Sequence, residues 1–155
     1  MFVAVFEGIL FLLFGLALPH GIRRYNVNRL LLAFAVIAIL VAVEENCSML
    51  LTHDYAYHGY QLWIGQFPVA IMLGWITVCY VGFIISARIN NVVLGAFAAS
   101  CLDAGFEPAA YFLGLWMWHN SVYSPIRYFN APTQNAIGWF LFTLLGTLIL
   151  KKLLK

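Results

Sequence analysis

The hydrophobic residues of the chain fall into five long runs, which short polar or glycine- and proline-containing segments separate. The runs cover approximately residues 2–18, 30–51, 67–87, 91–118 and 136–150. An α-helix needs about 20 apolar residues to cross a bilayer core of ~30 Å. The pattern therefore predicts an all-α integral membrane protein, a bundle of about five transmembrane helices that forms a single domain over residues 1–155.

The fourth run is too long for one straight span. From Asn91 to Trp118 it would be a helix of ~42 Å, against a hydrocarbon core of ~30 Å. Pro108 removes a backbone donor and clashes with the carbonyl group one turn earlier, and Gly105 weakens the same turn. We therefore expect the fourth helix to be kinked or broken near Gly105–Pro108. Broken helices at membrane depth tend to line cavities.

The basic residues predict the orientation of the bundle. With five spans, all of them except Arg127 lie on one side of the membrane, namely Arg23, Arg24, Arg29, Arg88, Lys151, Lys152 and Lys155. Because lysine and arginine accumulate in cytoplasmic loops, the N-terminus should lie outside and the C-terminus in the cytoplasm. The expected location is the cell membrane, with multiple passes.

The composition excludes most other classes of protein. The chain is 64% hydrophobic and 9% charged, with a mean hydropathy of +0.91. The net charge of +2 comes from few basic residues that follow the topology, so no nucleic-acid partner is expected. Four side chains in the outer loops could join an acid at a metal site: His53, Asp54, His58 and His119. Their spacing fits no compact ligand motif, so no metal and no other cofactor is predicted.

The acidic residues are concentrated where they are most costly. The chain has six, and five lie within or at the edge of the predicted spans: Glu7, Glu44, Glu45, Asp103 and Glu107. An ionisable group in hydrocarbon is unfavourable unless it faces the protein interior, finds a partner or stays protonated. The predicted topology places four of them in the outer half of the bilayer and Asp103 near the middle of the fourth span, so we expect a shared polar cavity in the outer half.

Two pairs of acids stand out. Asp103 and Glu107 are four residues apart on one helix face, which Ser100 and Tyr111 extend. Two carboxyl groups so close in a low dielectric do not both ionise easily, so one should hold a proton and could donate it to a weak base. The alternative is a structural pair satisfied by hydroxyl or backbone groups. In the adjacent pair Glu44–Glu45 only one side chain should face the cavity, and the sequence leaves open which.

Many aromatic residues cluster near the predicted outer boundary of the membrane. They are Tyr55, Tyr57, Tyr60, Trp63, Trp116, Trp118, Tyr123 and Tyr128. Tryptophan and tyrosine are enriched at membrane–water interfaces, so an interfacial belt accounts for most of them. Some could also line a pocket for an extended apolar or polyene ligand.

Several dispersed motifs resemble, in order and spacing, the integral-membrane carotenoid biosynthesis family, which includes carotenoid hydratases such as bisanhydrobacterioruberin hydratase. The motifs are Phe67–Pro68 with Gly74–Trp75, Leu102–Asp103 with Glu107–Pro108, Gly114–Trp118, Tyr128–Pro132 and Asn135–Phe140. The resemblance covers roughly residues 44–140. It implies catalytic roles for Asp103, Glu107 and Glu44 or Glu45. It also implies substrate contacts by Trp75, Tyr111, Trp118, Tyr128, Asn130, Asn135 and Trp139.

The chemistry that the resemblance implies is hydration of a terminal C=C bond in a long polyene or isoprenoid, which is a hydro-lyase reaction. A buried carboxylic acid would protonate one alkene carbon, and water would capture the resulting cation. The substrate would be a carotenoid or isoprenoid lipid reached from the membrane. Family members are longer, so this chain would be a minimal version, a homo-oligomer or the partner of another membrane protein. Residues 128–132 read Tyr-Phe-Asn-Ala-Pro where the family pattern is closer to Tyr-Phe-Gly-Val-Pro.

Two other functions are compatible with the residues. The first is a small non-catalytic subunit or assembly factor of a larger membrane complex, whose buried acids pair with a neighbour. The second is a proton or ion pathway, which the lack of a polar relay in the inner halves of the spans disfavours.

Overall fold

The computed structural model describes residues 2–52, 55–119, 126–129 and 131–155. Its helices are α1 (Phe2–Arg24), α2 (Val27–Thr52), α3 (Val69–Ile89), α4 (Val92–Ser100), α5 (Asp103–Leu113) and α6 (Thr133–Leu154). Because α4 and α5 together form one apolar stretch, the described residues contain five helical stretches long and apolar enough to cross a membrane. The predicted all-α membrane bundle is confirmed, whereas the orientation of its ends stays a prediction.

The fourth span is broken at Cys101–Leu102, between α4 and α5. The N–H groups of Leu102 and Ala104 donate to carbonyl groups three residues earlier, both at 3.1 Å, as in a tighter 3₁₀ turn. The predicted break is therefore present, but it lies just before Asp103, and Pro108 is inside α5. Starting a new helix there puts Asp103 in its first turn, where the positive end of the helix dipole favours an acidic side chain.

Short strands, which the hydrophobic pattern does not predict, connect the helices. Within the described ranges they form three antiparallel pairs: β1 (Tyr55–Tyr57) with β4 (Trp116–Trp118), β2 (Trp63–Ile64) with β3 (Phe67–Pro68), and β5 (Arg127–Tyr128) with β6 (Ala131–Pro132). Pro68 leads from β3 into α3 and Pro132 from β6 into α6, with φ of −74° and −70°. Proline suits these positions because a backbone N–H at a helix start has no partner within the helix.

The fourth span also ends earlier than predicted. Gly114 follows α5 with a φ of +63°, a left-handed conformation that glycine adopts without a steric penalty. Its N–H donates to the Ala110 carbonyl and closes the helix. The chain then turns, so that Trp116–Trp118 forms β4 rather than continuing the helix to Trp118.

Helix α3 is the centre of the bundle. It packs against α1, α2, α4 and α6, and 67% of its apolar stretch is buried, against 22% to 33% for the other spans. Glycines on its neighbours allow close approach. A Cβ atom on Gly95 would come within 2.6 Å of the Ser86 backbone nitrogen, and one on Gly146 would collide with Cys79. Small residues at helix contacts are the usual way in which membrane helices pack tightly.

The two ends of the bundle differ in charge. The short connections Tyr25–Asn26 and Asn90–Asn91 and the C-terminal end of α6 lie at one end. The basic residues adjoin them: Arg23, Arg24, Arg29, Arg88, Lys151 and Lys152. The strands and the longer connections lie at the opposite end, which is here called the loop end.

Candidate functional site

A cavity of about 640 Å³ lies at the loop end of the bundle. Its walls come from α1, α2, α3, α5 and α6 and from β1 and β4, and most of its side chains are aromatic or aliphatic. The volume falls in the range of ~300–1,000 Å³ that is typical of small-molecule sites. Glu44, Glu45 and Glu107 line it, so the structure brings acids from two separate spans to one space.

Glu45 is the buried member of its pair, with 4% of its surface exposed. One carboxylate oxygen accepts hydrogen bonds from the hydroxyls of Tyr55 at 2.6 Å and Tyr57 at 3.1 Å. The other oxygen accepts one from Trp75 Nε1 at 3.0 Å. Glu44 is exposed at the mouth of the cavity, where its carboxylate accepts a hydrogen bond from Ser48 Oγ at 3.1 Å.

Asp103 and Glu107 form the second acidic group, with 3% and 2% of their surfaces exposed. Asn135 joins them, because its Nδ2 donates to Glu107 Oε1 at 2.7 Å and to Asp103 Oδ1 at 3.3 Å. The Tyr128 hydroxyl donates a hydrogen bond to Asp103 Oδ2. Glu107 lines the cavity and Asp103 lies behind it.

The indole N–H groups of two tryptophans complete the Glu107 site. Trp116 Nε1 and Trp118 Nε1 both donate to Glu107 Oε2, at 3.2 and 3.0 Å. Both residues belong to β4, whose pairing with β1 places Tyr55 opposite Trp118 and Tyr57 opposite Trp116. In each opposed pair the tyrosine donates to Glu45 and the tryptophan donates to Glu107. The β1–β4 pair therefore connects the two acidic groups.

The charge of these acids is offset by neutral donors. Every hydrogen bond described above is donated to a carboxylate by a hydroxyl, an indole or an amide, and no lysine or arginine lies among the described residues that line the cavity. Burial, and then the negative charge of Glu45, raise the pKa of Tyr55 and Tyr57 well above the usual tyrosine range. Burial and the hydrogen bond to Asp103 raise the pKa of Tyr128 in the same way. These hydroxyls therefore stay protonated and able to donate at neutral pH.

Glu7 does not belong to this cavity. Its carboxylate is buried and accepts hydrogen bonds from the backbone N–H of Gln61, at 3.3 Å to each oxygen. The prediction of one cavity shared by all five acids is therefore wrong for Glu7, which is hydrogen-bonded to the connection between β1 and β2. It is also wrong for Asp103, which contacts Asn135 and Tyr128 but is not among the residues that line the cavity.

The predicted substrate contacts do not all lie in the cavity wall. Trp75, Trp118, Asn135 and Trp139 line the cavity, and the rings of Trp75 and Trp139 are in tilted contact with centroids 4.3 Å apart. Tyr128 contacts Asp103 rather than the cavity. Tyr111 is 56% exposed and, with Glu107, lines a smaller pocket of about 110 Å³. Asn130 lies outside the described residues.

Two expectations from the sequence need correction. Ser100 does not extend the face of Asp103, because the break in the span separates them and Ser100 Oγ donates to the Phe97 carbonyl. An interfacial belt does not describe the aromatic residues that donate to the buried carboxylates: Tyr55, Tyr57, Trp116, Trp118 and Tyr128. Trp63 is 42% exposed, and Tyr123 lies outside the described residues.

Of the side chains considered as metal ligands, His58 and His119 are exposed, while His53 and Asp54 are outside the described residues. In the part of the chain that the structure describes, no three or more His, Cys, Asp or Glu residues are grouped so as to hold a metal ion.

Sequence reasoning named Asn135 and Trp139 on α6 but missed other residues that α1 and α6 contribute to the cavity wall. Phe6 and Leu10 come from α1, and Gly138, Phe142 and Leu145 come from α6. Asn135 and these three α6 residues recur every three or four positions, which places them on one helix face. That spacing is visible in the sequence.

The fold and the site define a multi-pass membrane protein whose apolar cavity ends on buried carboxylates. The carotenoid biosynthesis protein family matches the chain over residues 3–155, which is nearly its whole length. The chain therefore belongs to this family, and its role is in carotenoid biosynthesis. No curated protein and no solved structure gives a significant match.

Proposed function

We propose that the protein is a hydratase that adds water to a terminal C=C bond of a long polyene or isoprenoid. The observation that carries the proposal is the position of Glu45 and Glu107 in the wall of one apolar cavity. An aromatic and aliphatic wall suits a hydrocarbon substrate, and the family makes a carotenoid the natural candidate. Carboxyl groups are the side chains in that wall able to exchange a proton with an alkene and with water.

Asp103 and Glu107 are proposed as the proton source. Both accept a hydrogen bond from the same Asn135 nitrogen, so their carboxyl groups are close together. Two carboxyl groups held together in a water-poor site share one proton, since a second negative charge there is unfavourable. Glu107 faces the cavity and delivers the proton to the alkene. Asp103 acts on Glu107 from behind as a positioning residue.

Glu45 is proposed to stabilise the cation and to accept the proton of the attacking water. Its carboxylate is fixed by three hydrogen bonds, so it is oriented before the substrate binds. Tyr55 and Tyr57 also line a second pocket of about 430 Å³, which includes Gln66 and His119. This pocket lies among the connections at the loop end, and we assign to it the water that the reaction consumes.

The reaction balances without an external reagent. The carboxylic acid of the Asp103–Glu107 pair gives its proton to one alkene carbon, and the π bond becomes a C–H bond and a cation on the neighbouring carbon. The water oxygen forms a C–O bond to that cation and loses a proton to Glu45. The proton returns to the pair through water, so one turnover consumes the alkene and one water molecule.

Labelled water tests the proposal directly. Purified protein in liposomes that contain an acyclic carotenoid should produce an alcohol carrying heavy oxygen from labelled water, detected by mass spectrometry. Glu107→Gln should lower the rate by about 10²-fold or more, the usual scale for losing a general acid. Glu7→Gln is the matched control, since it changes another buried glutamate outside the cavity and keeps an oxygen to accept from Gln61. Equal rates for wild type and Glu107→Gln would contradict the proposal.

A further inference from the structure

Among the described residues that line the cavity, the exposed ones lie on a single side, which marks where the cavity opens. Most of the lining residues are buried or half-buried, and the exposed ones all belong to α2 or α6. They are Glu44 on α2 and Gln134, Gly138, Leu141 and Leu145 on α6. The opening therefore lies between these two helices, on the side of the bundle that faces lipid.

The opening is closed towards the basic end of the bundle. A Cβ atom on Gly146 of α6 would lie 3.7 Å from the Ile37 side chain of α2, so the two helices are in contact at this level. Gly146 follows Leu145 directly, and Ile37 is two helical turns before Glu44. α2 and α6 thus meet on the side of Leu145 nearer the basic end of the bundle, and they separate towards the loop end.

The cavity is too short for a polyene that crosses the bilayer. Its wall on α6 runs from Gln134 to Leu145, which is ~17 Å at ~1.5 Å per residue. The hydrocarbon core is ~30 Å thick. A linear polyene as long as the hydrocarbon core is thick can place one end beside Glu107 only if the rest of the polyene remains outside the cavity.

We propose that the opening between α2 and α6 is a lateral entrance through which one end of a linear polyene passes from the bilayer to Glu107, and that Gly138 sets its width. The choice of a polyene as the ligand of this entrance rests on the proposed function. The rest of the polyene stays in the lipid, beside the exposed side chains of Leu141 and Leu145. The site therefore selects for an acyclic, apolar chain end and is indifferent to the distant end.

Gly138 is placed to control the entrance. It lies one helical turn from Asn135, on the cavity face of α6, and is exposed. A Cβ atom added there would meet no atom within 4 Å, so a larger side chain would extend into open space rather than into the packed bundle. Substitution should consequently obstruct the entrance and leave the fold intact.

The test measures binding separately from catalysis. Wild type, Gly138→Ala, Gly138→Leu and Gly138→Trp are reconstituted with lycopene, an acyclic carotenoid, and the pigment retained per protein after purification is read by its absorbance. Gly15→Leu is the matched control, because Gly15 is also an exposed helical glycine whose Cβ would meet nothing within 4 Å, and it lies outside the cavity wall. Both leucine variants remove a helix-destabilising glycine.

Retention should decrease with side-chain size at position 138 and fall about tenfold or more for Gly138→Leu, while Gly15→Leu matches wild type. Equal retention by wild type and Gly138→Trp would overturn the entrance, as would failure of the wild type to retain lycopene. Formation of the labelled alcohol is measured in the same samples. A loss of pigment retention that grows with side-chain size, in a series where even the wild type forms no labelled alcohol, would support the entrance and contradict the hydratase. Normal alcohol formation by Gly138→Trp would contradict the entrance and leave the hydratase in place.

Discussion

Tyr55 and Trp118 lie opposite each other in the β1–β4 pair, with ring centroids 4.8 Å apart, and each donates a hydrogen bond to a different buried glutamate. Tyr55 holds Glu45 on α2, and Trp118 holds Glu107 on α5. The contact between the two rings therefore fixes the carboxylates of two spans relative to each other. A rigid spacing of this kind is what a reaction with a proton donor and a separate water-activating group requires.

The first prediction concerns this pair. Tyr55→Phe and Trp118→Phe each remove one donor to a buried carboxylate and keep an aromatic ring. Each should lower the free energy of unfolding by ~1–3 kcal/mol, the scale of a lost hydrogen bond to a charged group. Because the rings are in contact, the double variant should depart from the sum of the singles by at least ~0.5 kcal/mol. Denaturant unfolding in detergent measures all three, and Tyr111→Phe at an exposed ring serves as the control.

Simple additivity of Tyr55→Phe and Trp118→Phe would show that the β1–β4 pair does not couple the two acidic groups. A control variant that lost as much stability as Tyr55→Phe would show that the loss is unrelated to the Glu45 contact.

The second prediction concerns Asn135, whose amide nitrogen serves both members of the Asp103–Glu107 pair. Asn135→Leu keeps the approximate size and removes the shared donor, so it should cost ~1–3 kcal/mol of unfolding free energy. Asn135→Asp should cost more, because it adds a third carboxyl group beside two others. Thermal unfolding in detergent gives the order, and Asn28→Leu at an exposed position is the control. An Asn135→Asp variant more stable than Asn135→Leu would contradict this account.

The sequence predicts the spans well because crossing a membrane requires only length and apolar character, both of which are local properties. It also indicates the acidic groups, because a carboxylate at membrane depth is energetically unfavourable unless it is buried in the protein with hydrogen-bond partners. Glu45 could have been distinguished from Glu44, since it continues the buried positions Ile37, Val41 and Met49 at a spacing of four.

The donors to the carboxylates could not be predicted in the same way. β1 and β4 have three residues each and are far apart in sequence, so no local periodicity marks their pairing. Tyr57 or Trp116 near a membrane boundary is equally compatible with a lipid-facing belt and with a buried hydrogen bond. The tertiary fold decides between them, and the break at Cys101–Leu102 likewise depends on how α4 and α5 pack.

The third prediction concerns orientation. The positive-inside rule puts the loop end outside the cell. Leu62 and Asn28 are exposed at opposite ends of the bundle, so each can be replaced by cysteine in a variant that lacks the three native cysteines. A membrane-impermeant thiol reagent should label Leu62→Cys in intact cells and Asn28→Cys only after permeabilisation. The reverse pattern would invert the topology.

The fourth prediction concerns alkaline pH. Burial raises the folded-state pKa of Tyr55 and Tyr57 above the value of about 10 expected for an unfolded tyrosine. The neutral phenol is thus favoured in the fold, so its contribution to stability is complete below pH ~10 and decreases as the pH rises beyond it. Unfolding measured between pH ~8 and ~11 should show this loss, and the Tyr55→Phe, Tyr57→Phe double variant should show a shallower one. An identical slope in the double variant would contradict the assignment.

The last prediction separates the roles of Asp103 and Glu107. Glu107→Gln removes the group that faces the cavity and should abolish most hydration of an acyclic carotenoid, by about 10²-fold or more. Asp103→Asn keeps the size of the side chain but removes the second charge, so Glu107 no longer shares its proton and activity should also fall by about 10²-fold. Because the two carboxyl groups act as a unit, the double variant should be little worse than Glu107→Gln alone. Each single variant should also lose ~1–3 kcal/mol of unfolding free energy, because donors face both oxygens of each carboxylate and an amide keeps only one acceptor oxygen. A folded Asp103→Asn variant with normal activity beside an inactive Glu107→Gln would make Glu107 the sole donor, and normal activity in both would favour a non-catalytic membrane subunit.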